Sequence, residues 1–574
     1  MAAESHATST PVIYQVYPRS FRDTTGNGSG DIRGITSALD WIASLGVDGI
    51  WLSPCFSSPQ CDGGYDVTDY RMIDPMYGTL ADMEELIAAC HDRGLRIYLD
   101  LVPNHTSAAH EKFVQALKQG PGSPAREWYW FRDIDPANPD TPPNNWESIF
   151  GGSAWTKVAD RPDAAGNPWA GDTQWYLHLF DPGQPDLNWN NDEVKREFLD
   201  VLRFWFDKGV DGFRIDVAGG LVKEEGLPDM ADGSGMIESI KSDSDPRFDN
   251  DGVHEIYRSW REFADSCAAK KDLVGELWVD DPARRHPYIS DDELDSAFAF
   301  DLLLSPWTKK DLLEVVDRHA GDRVPPALRT RTAWALSNHD TVRHVSRFGL
   351  NPKNSVPNGI GPDDPQPDHD RGLVWAKAAT LFMLALPGSA YLYQGEELGL
   401  FDHTTMDPAD RLDPTFVRSG KTQLGRDGCR APLPWKKNGA SFGFSPTGTA
   451  DGGAPAAPWL PQPDGYGDIA ADCQDGDPSS TVNFYRAAIG MRKQLDLGAG
   501  SFTPVESPAG VLVFDSHPPA GETVRIIHAI DDDYPVPDCW RVVMSSAWPG
   551  GVAPSGGTPD RVVEPGTTVW CVAG

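Results

Sequence analysis

The sequence predicts a (β/α)8 TIM barrel with a subdomain inserted after its third strand and a C-terminal antiparallel β-sandwich domain. Three observations predict it. Strand-like and helix-like segments alternate through most of the 574 residues, and the alternation supplies eight strands. Near residue 496 it gives way to short strand runs separated by Gly/Pro turns.

PVIYQVY (Pro11 to Tyr17) opens the series. GITSALDWIASLG follows as a helix with Leu39, Ile42 and Leu45 on one face, and DGIWLSP (Asp48 to Pro54) is the second strand. LADMEELIAACHDRG is the next helix, stopped by Gly94, and RIYLDLV is the third strand. The pattern then breaks over residues 106–180, a stretch rich in Trp, Pro, Asn and Asp that is far longer than an ordinary βα loop. A run of this length and composition reads as a small subdomain beside the barrel mouth. Alternation resumes with the helix NDEVKREFLDVLRFWFDKG and the strand VDGFRIDV; LVGELW, SAFAFDL, TAWALSN and SAYLYQG complete the eight. Asn351 to Asp370 and Arg430 to Tyr466 are Gly/Pro-rich loops after strands seven and eight. The last helix, TVNFYRAAIGMRKQL, precedes the runs VLVFDS, TVRIIHAI, RVVMSS and TTVWCVA. The divisions are therefore 1–105 and 181–495 for the barrel, 106–180 for the insertion and 496–574 for the β domain.

Fifty basic against 85 acidic residues give a formal charge of −35. Duplex nucleic acid and anionic membrane surfaces would be repelled, so neither is an expected partner. Eight cysteines in this length, none in a CxxC or zinc spacing, do not form a disulfide framework. The start, MAAESHATSTP, lacks the basic and apolar regions of a signal peptide, and the most apolar run, ATLFMLAL (Ala379 to Leu386), is too short to span a bilayer. A cytoplasmic protein, monomeric or homodimeric, is expected.

The chemistry sits at strand ends. DLVPNH (Asp100 to His105), GFRIDV (Gly212 to Val217), GELW (Gly275 to Trp278) and SNHD (Ser337 to Asp340) each end a predicted strand. In a parallel barrel such residues converge on one mouth however far apart they lie along the chain. Carboxylates gathered in one pocket repel each other, and one use for them is a protonated acid beside an ionised one, as acetal hydrolysis requires. Glu276, flanked by Gly275, Leu277 and Trp278, is the candidate for the acid that keeps its proton. Asp216 lies two residues after Arg214, on the same strand face, so the cation would hold it ionised and ready to attack carbon. Asp340 is placed to stabilise charge, and His105 and His339 to donate to sugar hydroxyls. Each of these also has a plainer reading: helix cap, structural ion pair or packing histidine. The joint occurrence of four acids at four strand ends favours the site.

With these motifs stand YQVYPRSF, GIWLSP, GYDVTDY, YGT, NHTS, QPDLNW, YQGEE and GRDGCRAPLPW, an ordered set that runs nearly end to end. The chain resembles the α-amylase superfamily of glycoside hydrolases (family 13), in particular its oligo-1,6-glucosidase and α-glucosidase branch and the actinobacterial α-glucosidases. QPDLN (Gln184 to Asn188) resembles the mark of that branch. The resemblance implies Asp216 as nucleophile, Glu276 as acid/base and Asp340 as transition-state stabiliser in a retaining mechanism. It implies Asp100, His105, Arg214 and His339 around the first sugar, Tyr65 as its platform, and an Asp62–Arg426 pair that clasps the non-reducing end and closes the pocket floor. No redox or phosphate cofactor is implied; the partner is a disaccharide or short oligosaccharide.

Two stretches depart from the pattern. The family often holds a structural cation in an early DxNxDGxGD loop; here it reads DTTGNGSGD, with Asp23 and Asp31 the only carboxylates, and the readings are a calcium or magnesium site on Asp23, Thr25, Asn27, Ser29 and Asp31 or a metal-free turn. Val217, directly after the expected nucleophile, resembles enzymes of α-1,6 links, whereas Ala218-Gly219-Gly220-Leu221 looks like α-glucosidases of maltose-like sugars. The two glycines are expected to widen the leaving-group rim. The expectation is a retaining exo-α-glucosidase acting on α-1,4 links. The alternatives are an oligo-1,6-glucosidase, a transglucosidase or sugar isomerase on the same residues, and a non-catalytic barrel-bearing subunit, which the intact acids disfavour.

Overall fold

A computed structural model describes residues 10–230, 245–449, 452–553 and 561–574. Eight parallel strands close into a barrel: β1 (Val12–Val16), β2 (Gly49–Leu52), β3 (Arg96–Leu101), β4 (Gly212–Ile215), β5 (Asp272–Gly275), β6 (Ser296–Phe298), β7 (Thr332–Ala335) and β8 (Ser389–Tyr393). Each pairs with its neighbours in sequence, and β1 closes the ring on β8 with Val12 opposite Ala390. The strands are short and almost wholly buried, as expected of a sheet covered on both faces.

The surrounding helices bury one stripe each. Asp192–Asp207 turns Val194, Phe198, Val201, Leu202, Trp205 and Phe206 inward, and Asn191 caps its start by accepting from the Glu193 amide. Thr79 and Asp82 form a reciprocal capping box on Leu80–His91. The expected first helix is two, Ile32–Ser37 and Leu39–Ser44, broken at Ala38. Leu39, Ile42 and Leu45 are buried together nonetheless.

After β3 the insertion forms a three-stranded antiparallel sheet in the order Phe131–Asp133, Gln174–Leu177, Trp155–Lys157. Its tryptophans are core: Trp130, Trp146, Trp155 and Trp175 pack with Leu227, Met230 and Phe248 from the segment after β4. That cluster ties the insertion to the barrel mouth. The C-terminal part is a five-stranded antiparallel sheet, Ser501–Val505, Val511–His517, Val524–Ala529, Thr567–Ala573 and Trp540–Ser545 in that order, beside a two-stranded ribbon, Tyr534–Pro535 with Val562–Val563. It docks on the helix His369–Ala385: Trp570 Nε1 donates to Leu381 O at 3.1 Å and Thr568 Oγ1 to Ala378 O at 2.7 Å. Covered on several sides, the C-terminal half of this helix is apolar all round, which accounts for the run ATLFMLAL. All eight cysteines are free, and among the described residues no helix is long and apolar enough to cross a membrane.

Beyond β8, Glu396 is buried and accepts one backbone hydrogen bond, from Tyr393 N at 3.1 Å. Burial pushes its carboxyl from 4.5 up to about 8. The folded chain therefore holds a proton that the unfolded chain releases, so this contribution to stability is complete below about 4.5 and lost as pH rises through about 8. Glu396→Gln, neutral throughout, is expected to melt above wild type near pH 9 and level with it near pH 5, as thermal denaturation at the two values will read.

Candidate active site

The barrel places all four strand-end acids at its C-terminal mouth. Asp100 lies on β3 opposite Arg214 on β4, while Asp216 and Glu276 lie one residue past β4 and β5. Arg214 is their common centre. Its Nη1 donates to Asp100 Oδ1 at 2.9 Å and to Asp216 Oδ1 at 2.6 Å, and its Nη2 lies 2.8 Å from Glu276 Oε2. One guanidinium thus serves three carboxylates.

That sharing changes the expected electrostatics. Arg214 does not hold Asp216 low by itself: burial outweighs it, and the charges of Glu276 and Asp100 add to burial, so the Asp216 carboxyl is raised well above the usual range. Burial likewise pushes Asp100 up to about 7 against the pull of Arg214. Nor does Glu276 sit in apolar company. Leu277 turns into the core, and the Glu276 carboxylate meets Arg214, the Val217 amide at 3.0 Å and Trp278 Nε1 at 3.2 Å. The flanking letters were a poor guide because successive residues face opposite ways.

Asp340 is built the other way. Arg430 Nη2 lies 2.8 Å and Arg426 Nη1 3.1 Å from its Oδ1, and His339 Nε2 lies 3.1 Å from Oδ2. Against desolvation, Arg426 and Arg430 hold it well below the ordinary carboxylate range. His339 itself is kept neutral, its pKa pushed by burial down to about 3. Gln15 Nε2 donates to its Nδ1 at 2.8 Å, which leaves the proton on Nε2, 2.6 Å from the Tyr65 hydroxyl. Tyr65 in turn donates to Asp100 Oδ2 at 3.1 Å, and Trp51 Nε1 to the same oxygen at 3.2 Å.

Asp62 and Arg426 meet at 2.7 Å, across 364 positions of sequence. Sequence reasoning missed what holds Arg426: its Nε donates to the fully buried Asp413 at 2.6 Å, and its backbone amide to the same oxygen at 3.0 Å. Arg430, Gln184 and Trp51 were missed too, although GRDGCR, QPDLN and GIWLSP were all noticed. Gln184 Nε2 reaches Asp62 Oδ2 at 3.3 Å and His105 Nε2 at 3.1 Å, so it joins two predicted site residues. His105 is buried, with Phe180 against its ring at 5.1 Å, and burial lowers its pKa. Every residue expected at the mouth is therefore in one connected set.

Two expectations about loops change. Gly219 and Gly220 are buried rather than on the rim. A Cβ on Gly220 would lie 2.8 Å from Val217 Cγ1 and 3.2 Å from Phe248, so that glycine permits close packing and opens no space. The Asp23–Asp31 loop is stitched to itself. Asp23 accepts from the amides of Thr25, Gly26 and Gly28, Asp31 from those of Thr24 and Gly34, and Asn27 from that of Ser29. Its two carboxylates face backbone N–H donors, and no third carboxylate joins them; among the described residues no group of three acids, histidines or cysteines is arranged for a metal. As arranged, Asp23, Thr25, Asn27, Ser29 and Asp31 do not fit a calcium or magnesium cage.

Comparison with known proteins agrees with this geometry. Residues 15–498 match the family model of the alpha amylase catalytic domain. A probable alpha-glucosidase of Rhizobium meliloti (strain 1021) is 37% identical over 526 residues, 88% of this chain and 86% of that protein. A trehalose-6-phosphate hydrolase of Escherichia coli (strain K12) is 36% identical over 84% of this chain and 83% of its own length. The crystal structure of an alpha-glucosyl transfer enzyme, XgtA, superposes with a TM-score of 0.81 at 31% identity, covering 99% of each chain. The eight-stranded barrel, the acids at its mouth and a family match over most of the chain lead to one conclusion: this protein belongs to the alpha-amylase family and is a glycoside hydrolase.

Proposed function

We propose that the protein is a retaining, exo-acting α-glucosidase that releases terminal α-glucose from maltose-like and short oligosaccharides. One observation carries the reading: Arg214 holds Asp100, Asp216 and Glu276 together while Asp340 faces them under separate cations. Such a cluster shares a proton among its acids, and a retaining double displacement requires it on Glu276 with the charge left on Asp216. Glu276 protonates the glycosidic oxygen as the Asp216 carboxylate bonds to C1 and the leaving sugar departs. Water then attacks C1, Glu276 takes its proton, and Asp216 is released with α-glucose. Asp340 stabilises the oxocarbenium-like transition state. Asp100, His105, Arg214 and His339 grip the first sugar, and Tyr65 is its platform. The Asp62–Arg426 pair receives the terminal hydroxyl and blocks further chain, which makes the action exo.

A second reading is transfer, in which a sugar hydroxyl replaces water in the second step. Likeness to an alpha-glucosyl transfer enzyme favours it, as do the partly exposed Val217, Trp278 and Phe180, which pack against the apolar cluster of the insertion. The experiment is glucose release from maltose, isomaltose, sucrose and trehalose, with anomers and larger products followed by NMR. Maltose turnover with α-glucose as the first product is expected. β-Glucose first, or no glucose from any of them, defeats the reading, and dominant oligosaccharide or isomer formation replaces it with transfer.

A further inference from the structure

Lys223, seven residues after Asp216, is fully buried, and its ammonium spends all three donors on oxygens from three separate segments. It donates to Asn104 Oδ1 at 2.8 Å beyond β3, to the Gly220 carbonyl beyond β4, and to Asp186 Oδ2 at 2.9 Å in the QPDLN stretch that follows the insertion. We propose that Lys223 is a positioning residue, a fixed cation that aims the Val217 amide at Glu276. The inference rests on the glucosidase reading above.

The path runs through a strained turn. Val217 has φ 47° and ψ 48°, a left-handed conformation that a β-branched residue adopts only when its surroundings impose it. What imposes it is visible. The Gly220 amide donates back to Val217 O at 2.8 Å, the Ala218 amide to Glu276 O at 2.8 Å, and Lys223 fixes the Gly220 carbonyl from below. Held this way, the Val217 N–H meets Glu276 Oε2 at 3.0 Å. A second path reaches the sugar side: Asn104 Nδ2 donates to Asp186 Oδ2 and lies 3.1 Å from His105 Nδ1.

A buried Lys–Asp pair can also serve folding alone, since removing one partner strands the other's charge. The two roles separate by leaving group. A disaccharide needs a proton from Glu276 to leave, whereas α-glucosyl fluoride does not. In Lys223→Met/Asp186→Asn, which removes both charges together, kcat/KM for the best disaccharide is expected to fall about 100-fold and that for α-glucosyl fluoride less than about 3-fold. Gly220→Ala, whose Cβ would press on Val217 Cγ1 at 2.8 Å and reach Asn104 Oδ1 at 3.3 Å while leaving both charges in place, is expected to give the same split and tests the turn if the double variant fails to fold. Equal losses on both substrates, or no loss on either, overturn the proposal. Wild-type protein inactive on both would instead sink the glucosidase reading, and this inference with it.

Discussion

Asp216→Asn is expected to lower kcat/KM on every glucoside by about 10⁴-fold or more, because the variant amide cannot form the glycosyl ester on which a double displacement depends. Fold and stability should survive. Asn keeps an oxygen to accept from Arg214 Nη1, and removing one of three carboxylates on a single guanidinium relieves repulsion. Glu276→Gln should be comparably inactive on disaccharides, since its single amide oxygen can still accept from Val217 N, at the expense of the Trp278 contact, but the side chain carries no transferable proton. Melting temperatures within a few degrees of wild type, together with lost turnover, are the expected pair of results. Normal hydrolysis by either folded variant refutes the assignment of both.

Arg426→Ala is expected to be the most damaging change outside the acids. The side chain touches Asp62, Asp340 and Asp413, and its removal leaves the fully buried Asp413 carboxylate without the cation it contacts. A loss of about 3–5 kcal/mol in stability follows from an orphaned buried charge. Asp413 is at present held down to about 2 by Arg426 and Arg430 against its burial, so its share of stability is present above the unfolded carboxyl's pKa of 3.8 and lost as pH falls through about 2. In the variant that low-pH window should move upward, because burial then acts with less opposition. Denaturation across pH measures this. On activity, the pocket loses the cation at its floor, so KM for maltose should rise more than kcat falls, and cleavage within longer maltooligosaccharides should appear. An unchanged product pattern would refute the role given to the Asp62–Arg426 pair.

How much of this was legible follows from periodicity. All eight strands were readable because each is a short apolar run between turn residues, and naming them fixed which ends share a mouth. Asp100, Asp216, Glu276 and Asp340 were readable for the same reason. What the chain could not show is which cation each acid receives. Arg430 and Asp413 come from an irregular loop whose path no period describes, and Arg426 reaches Asp62 across most of the chain. Charge balance was misjudged at Asp216 because Arg214, two residues away, is shared with Asp100 and Glu276 from other strands. The rim reading of Gly219 and Gly220 failed because a glycine pair looks the same in sequence whether it opens space or lets two segments touch.

The seam between β1 and β8 has a consequence for synthesis. Val12 finds its partner at Ala390, so the first strand leaves the ribosome long before the last one exists. At about 5–20 residues per second this wait is on the order of 20–75 s. For that interval β1 presents an unpaired edge of five apolar-rich residues, VIYQV, and long-range pairing of this kind is slow and exposed to aggregation. Slowing elongation or depleting chaperones should therefore reduce the yield of soluble enzyme without altering the specific activity of the molecules that close.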